Sequence, residues 1–263
     1  MFTFSGEWFD AILVSIWWPW VRIVALMATE PFWSNRTIPR RVKVLFSLCL
    51  ALIIAPLLPP MPVVPLFSAT GLLVTVNQIL IGLAIGFSVR LVFVALEMAG
   101  HLIGLQMGLG FAAFFDPQHS QPVPVMAMVT GLLGILLYLS FDGHLVTISA
   151  LVDSFRAMPV TITPLAGRGF ARLYELGGMM FLYGVWLSLP AIAALMVANL
   201  AVGVMARAAP QFNLFAVGFP IMLALGLLAF YVTLPQLANQ FNTALGAAIQ
   251  GLAETQRLLA GGH

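Results

Sequence analysis

The chain has 263 residues, 61% of them hydrophobic, against only 11 Lys or Arg and 9 Asp or Glu. A charged share of 8%, where soluble domains carry ~25%, together with a mean hydropathy of +1.04, leaves too few polar side chains to cover a water-facing surface. The net charge of +2 rests on so few groups that nucleic-acid binding does not follow from it, and the single cysteine, Cys49, excludes an internal disulfide framework and a cysteine-based zinc site.

The chain opens with Glu7 and Asp10 before any basic residue, unlike the positive start of a secretory signal, so the first apolar segment is expected to stay. Long uncharged stretches follow. Lys43 to Arg90 encloses 46 uncharged residues, divided by five prolines between Pro56 and Pro65, which reads as two helices flanking a stiff connection. Asp116 to Asp142 encloses 25, Glu175 to Arg207 encloses 31, and Arg207 to Glu254 encloses 46. Each exceeds the ~20 apolar residues that cross a bilayer.

These limits predict an all-α polytopic membrane protein with helices at about 10–33, 39–57, 69–89, 91–110, 122–141, 176–206 and 214–234, and irregular chain between. A β-barrel would need short segments alternating in polarity. The segment 176–206 is too long for a vertical span and is expected to tilt, kink at Pro190 or protrude. From Gln236 onward, Leu237, Phe241, Leu245, Ile249 and Leu252 recur at helical spacing, with Gln240, Asn242, Thr243, Gln250 and Glu254 largely elsewhere around the helix. That pattern predicts an amphipathic helix packed on a partner or lying at the membrane interface. Between Ser34 and Lys43, four basic residues (Arg36, Arg40, Arg41 and Lys43) stand without an acid, which places this loop in the cytoplasm.

Gly100, Gly104 and Gly108 recur every fourth residue, and Gly82 with Gly86 make a second pair; such stripes let helix backbones approach closely. After them come Phe111, Phe114 and Phe115, then a polar, proline-containing run from Asp116-Pro117 through Val123. Polar chain of this kind at membrane depth must be buried by protein or line an aqueous path; the alternative is a plain turn outside the membrane. His101, His119, His144 and His263 show no metal-binding spacing, and there is no phosphate-binding glycine loop, so neither cofactor nor enzymatic chemistry is expected. Arg22 and Glu97 are ionisable residues within apolar segments, open to a functional role, to a buried ion pair or to a helix-end position.

A family likeness rests on Arg22 with Pro31 and Ile38-Pro39-Arg40-Arg41-Val42, on Asn77 with Gly82, Gly86 and Arg90, and on Glu97-Met98-Ala99-Gly100-His101 continuing through GLGFA to Asp116-Pro117. Gly143-His144, Leu189-Pro190 and the long block from Arg207 through Pro210, Gln211 and Asn213 to Pro220 extend it. On these residues the chain resembles the FliR family of type III secretion, which includes the T subunit of injectisomes. The last block and Gly143-His144 look more flagellar than injectisome.

The resemblance implies a subunit of the flagellar export gate in the bacterial inner membrane and flagellar basal body. Its implied neighbours are FliP-like and FliQ-like subunits, with FlhB-like and FlhA-like export proteins, and its cargo is unfolded flagellar proteins. Residues 1–175 would form a FliP-like part and 176–263 a FliQ-like hairpin with its tail, with part of the assembly above the bilayer on the periplasmic side. Gly110, Phe111, Phe114, Phe115, Asp116, Pro117 and Val123 would belong to a pore plug, and Arg207, Pro210, Gln211 and Asn213 to the FliQ-like loop. Pro59-Pro60 and Phe114-Phe115 depart from common relatives. An injectisome subunit and a small-solute carrier are the alternatives. Against a carrier, there is no clear inverted repeat.

Overall fold

In the computed structural model of the chain, the residues described are 6–59, 61–62, 64–111, 124–209 and 218–260. They form helices α1 (Gly6–Thr29), α2 (Pro31–Ser34), α3 (Arg40–Ile54), α4 (Ala69–Gln106), α5 (Val125–Ser140), α6 (Gly143–Ala157), α7 (Gly167–Ala208) and α8 (Phe219–Leu259), with short 3-10 turns at Ala55–Leu57 and Leu109–Phe111 and no strand among the described residues. The all-α class is as the apolar runs require.

Several boundaries differ from the sequence reading. The expected break at Arg90 is absent, and α4 runs unbroken for 38 residues. A charge does not interrupt the helical hydrogen-bond ladder, no proline or glycine stands at 89–91, and Arg90 is exposed on the helix flank. Helix α6 forms where irregular chain was expected. Asp142, with φ 54, turns the chain, and Thr147, Leu151, Ser154 and Phe155 then fall on one buried stripe at helical spacing. The tail from Gln236 is no separate helix. It continues α8 through Pro235, and Leu237, Phe241, Leu245 and Leu252 are buried by this chain's own residues, Gln240 with them.

Among the described residues, three helices are long and apolar enough to cross a membrane, or up to four if α5 and α6 count as one broken span. At 1.5 Å per residue α4, α7 and α8 each have a contour of roughly 60 Å, about twice the ~30 Å hydrocarbon core. Tilts of up to ~40° do not absorb that excess. Burial separates them: 61% of the most apolar window of α4 is covered by the chain, but only 11% for α7 and 22% for α8.

The described residues divide into two compact units. The first comprises Met1–Leu91, Asp142–Gly177 and Leu245–His263. Here α1 packs on α3, and Trp18, Ile23, Ile85, Leu151 and Phe155 make a core with almost no exposure. Trp20 Nε1 donates to Ser47 Oγ at 3.0 Å, and Trp33 stacks on Phe46 at 4.3 Å between ring centres, pinning α3 back onto the chain that leads into it. Glu30 caps α2 by accepting from the Trp33 amide at 2.7 Å.

The second unit comprises Val92–Phe141 and Gly178–Ala244. Phe93 lies edge-on to Tyr138 and to Phe241, with ring centres 5.4 and 5.6 Å away. Leu96, Ala99 and Ile103 on α4, and Met107 just beyond its end, are fully buried.

Candidate functional site

Arg22 is fully buried on α1. Its Nε donates to Gln78 Oε1 at 2.8 Å, Nη1 to Ser154 Oγ at 3.0 Å and Nη2 to the Met158 carbonyl at 3.0 Å, while the guanidinium carbon sits 3.9 Å from the centre of the Phe155 ring. No carboxylate among the described residues is bonded to it. Of the readings open for Arg22, an ion pair is not what forms: three neutral acceptors and an aromatic face surround it, each matching one edge or face of the planar fork. Sequence patterning singled out Arg22 but not its partners, which stand 56, 132 and 136 residues away and look like ordinary helix residues.

Glu97, the other suspect, is exposed, and a Cβ built on Gly131 of α5 would lie 3.2 Å from its Oε1.

The glycines divide by partner. A Cβ at Gly82 would strike the Arg22 carbonyl oxygen and come within 2.8 Å of Ala25 Cβ; one at Gly86 would strike Thr29 Oγ1 and lie 2.6 Å from the Leu26 carbonyl oxygen. Both therefore face α1. Gly100 faces α5 instead, where a Cβ would strike Thr130 Oγ1 and lie 2.6 Å from the Met126 carbonyl oxygen, and Gly104 is 3.2 Å from Met126 Cβ on the same measure. Backbone carbonyls cannot yield as a side-chain tip can, so Gly82, Gly86 and Gly100 are the positions where the missing side chain is required. Gly108 does not continue the stripe. Helix α4 ends at Gln106, and Gly108 adopts φ 82, a left-handed conformation suited to leaving a helix.

These contacts bear on the segment that the family resemblance implies to be a plug. Gly100 and Gly104 set α4 against the start of α5, so they hold the two helix ends that the segment joins. Gly110 and Phe111 lie in the 3-10 turn that leaves α4. Phe114, Phe115, Asp116, Pro117 and Val123 lie outside the described residues, as do Pro210, Gln211 and Asn213. Arg207 is exposed in the last turn of α7, where a cation complements the helix dipole. Among the described residues, no group of three or more His, Cys, Asp or Glu is placed to hold a metal ion.

Residues 13–248 match the sequence model of the family described as "Bacterial export proteins, family 1". The chain is 44% identical over 235 residues to a protein of Pectobacterium carotovorum subsp. carotovorum named "Flagellar biosynthetic protein FliR", covering 89% of this chain and 90% of that protein. It is 43% identical over 234 residues to the protein of the same name from Escherichia coli (strain K12), covering 89% of each. With the same-named protein of Aquifex aeolicus (strain VF5) it shares 30% over 237 residues, covering 86% of this chain and 87% of that one.

Proposed function

The chain belongs to the FliR family of the bacterial export proteins, family 1, and on that footing we propose that it is a non-enzymatic subunit of the flagellar type III protein export gate. In this reading it joins FliP-like and FliQ-like subunits to form the pore through which unfolded flagellar proteins leave the cytoplasm, and FlhB-like and FlhA-like proteins engage that assembly. Residues 1–175 take the FliP-like place and 176–263 the FliQ-like hairpin. The segment from Gly110 to Val123 closes the pore.

The observation that carries this reading is identity spread over nearly the whole chain to proteins named for flagellar biosynthesis. The helices support it. On α7, Leu182, Val197 and Leu200 are 68–71% exposed, an apolar surface for lipid and neighbouring subunits. The contours of α4, α7 and α8 exceed an inner-membrane bilayer, which suits an assembly standing partly above it on the periplasmic side. The names of the relatives also favour the flagellar gate over an injectisome subunit or a small-solute carrier.

Deleting the protein is expected to abolish secretion of hook and filament proteins while leaving nutrient uptake intact, and the tagged protein is expected to copurify with FliP-like and FliQ-like subunits in mild detergent. Normal filaments in the deletion strain would reject the gate. In the reconstituted complex, removing 112–123 is expected to raise ion conductance; replacing Phe111, Phe114 and Phe115 together by Ala should raise it less. Three closed, indistinguishable traces from assembled complexes would reject the plug.

A further inference from the structure

Helices α1 and α3 leave between them a cleft of about 370 Å³, with Val24, Met27, Ala28 and Val44 along its walls and Arg40 and Lys43 among its lining residues. The basic residues stand in the first turn of α3. Lys43 Nζ is held by the Asn35 carbonyl oxygen at 2.9 Å, which leaves it further donor capacity, and no carboxylate among the described residues pairs with it or with Arg40. The α3 N-terminus has no side-chain cap, since Pro39 occupies that position, so the helix dipole adds to the positive field there.

Within a turn the surface changes character. From Val44 onward the outer face of α3 is apolar: Val44 is 50%, Leu45 64% and Leu52 50% exposed. An occupant must therefore carry negative charge at one end and hydrocarbon at the other. Free phosphate would leave the apolar walls wet, and an acidic peptide would place its backbone amides against them. The four unopposed basic residues from Arg36 to Lys43 put this end of the cleft at the cytoplasmic face, where anionic lipids attract juxtamembrane cations.

We propose that the α1–α3 cleft binds one anionic phospholipid of the cytoplasmic leaflet, with its phosphate at Arg40 and Lys43 and an acyl chain along Val24, Met27, Ala28 and Val44. The inference rests on the membrane spans and the charge asymmetry, and is independent of what the assembly exports.

Native mass spectrometry of the detergent-solubilised complex, titrated with dioleoylphosphatidylglycerol or dioleoylphosphatidylcholine, tests it. Retention of the anionic lipid is expected to exceed that of the zwitterionic one roughly tenfold. Arg40→Gln with Lys43→Gln should abolish the preference. Arg36→Gln with Arg41→Gln, which removes the same charge from the same basic cluster but from residues outside the cleft lining, should leave most of it. Equal retention of the two lipids, or equal loss in both double variants, would overturn a defined site. In cells, a photoreactive side chain at position 28 is expected to form a phospholipid adduct, and an adduct to a partner polypeptide instead would overturn the assignment. Secretion of hook protein, scored in the same strains, separates failure of the lipid site from failure of the export reading.

Discussion

The guanidinium of Arg22 meets three neutral oxygens and one ring, and this arrangement draws three parts of the first unit together: α1, Gln78 of α4, and the Ser154–Met158 end of α6. Hydrogen bonds from a charged donor stabilise by ~1.5–3 kcal/mol each, and their loss here would leave buried acceptors without partners. Arg22→Ala is thus expected to cost roughly 3 kcal/mol or more, and Arg22→Lys to fall between, because one ammonium cannot span three acceptors at different angles. The thermal midpoint of the detergent-solubilised protein measures this. Midpoints equal to wild type for both variants would mean that the network contributes nothing.

Helix α4 organises the fold because its glycines let two other helices approach its backbone at different heights, α1 at Gly82 and Gly86 and α5 at Gly100. The geometry ranks substitutions. Gly82→Ala and Gly100→Ala place a methyl against a backbone carbonyl oxygen and are expected to destabilise by ~1–3 kcal/mol, as overpacking does. Gly104→Ala meets a side chain at 3.2 Å and should cost less, whereas Gly203→Ala on α7 meets nothing within 4 Å and should gain ~0.5–1 kcal/mol from reduced backbone entropy. Recovery of intact complex on native gels, with thermal midpoints beside it, checks the order. If Gly203→Ala proved as harmful as Gly82→Ala, close approach would not be what these glycines provide.

For the molecule as a whole, the informative quantity is apolar surface left uncovered. With only 11% of its most apolar window buried, α7 cannot face water along its length. Val197→Glu and Leu200→Glu, at sites 70% and 71% exposed, should therefore fail to insert or to assemble, since a carboxylate near mid-bilayer costs about 2.5–3.5 kcal/mol on insertion scales. On a water-facing helix the same changes would be harmless. Membrane-fraction yield and copurification with the proposed FliP-like and FliQ-like partners distinguish these outcomes.

Composition and the charge-free runs were enough to establish an all-α membrane protein, because solvent preference is a property of residue types and needs no partner. The FliR-family likeness was legible too, carried by local blocks such as Glu97 to Gly104. Where α4 and α8 end was not legible: charge at Arg90 and proline at Pro235 were poor markers of helix limits, since an exposed charge rides on a continuous helix and a proline removes only one donor from it. Nor could spacing along the chain reveal that Gly82 and Gly100 serve different helices, or that Gln78, Ser154 and Met158 receive Arg22. Those pairings join residues far apart in sequence, and packing selects them by shape and donor geometry that no local pattern encodes.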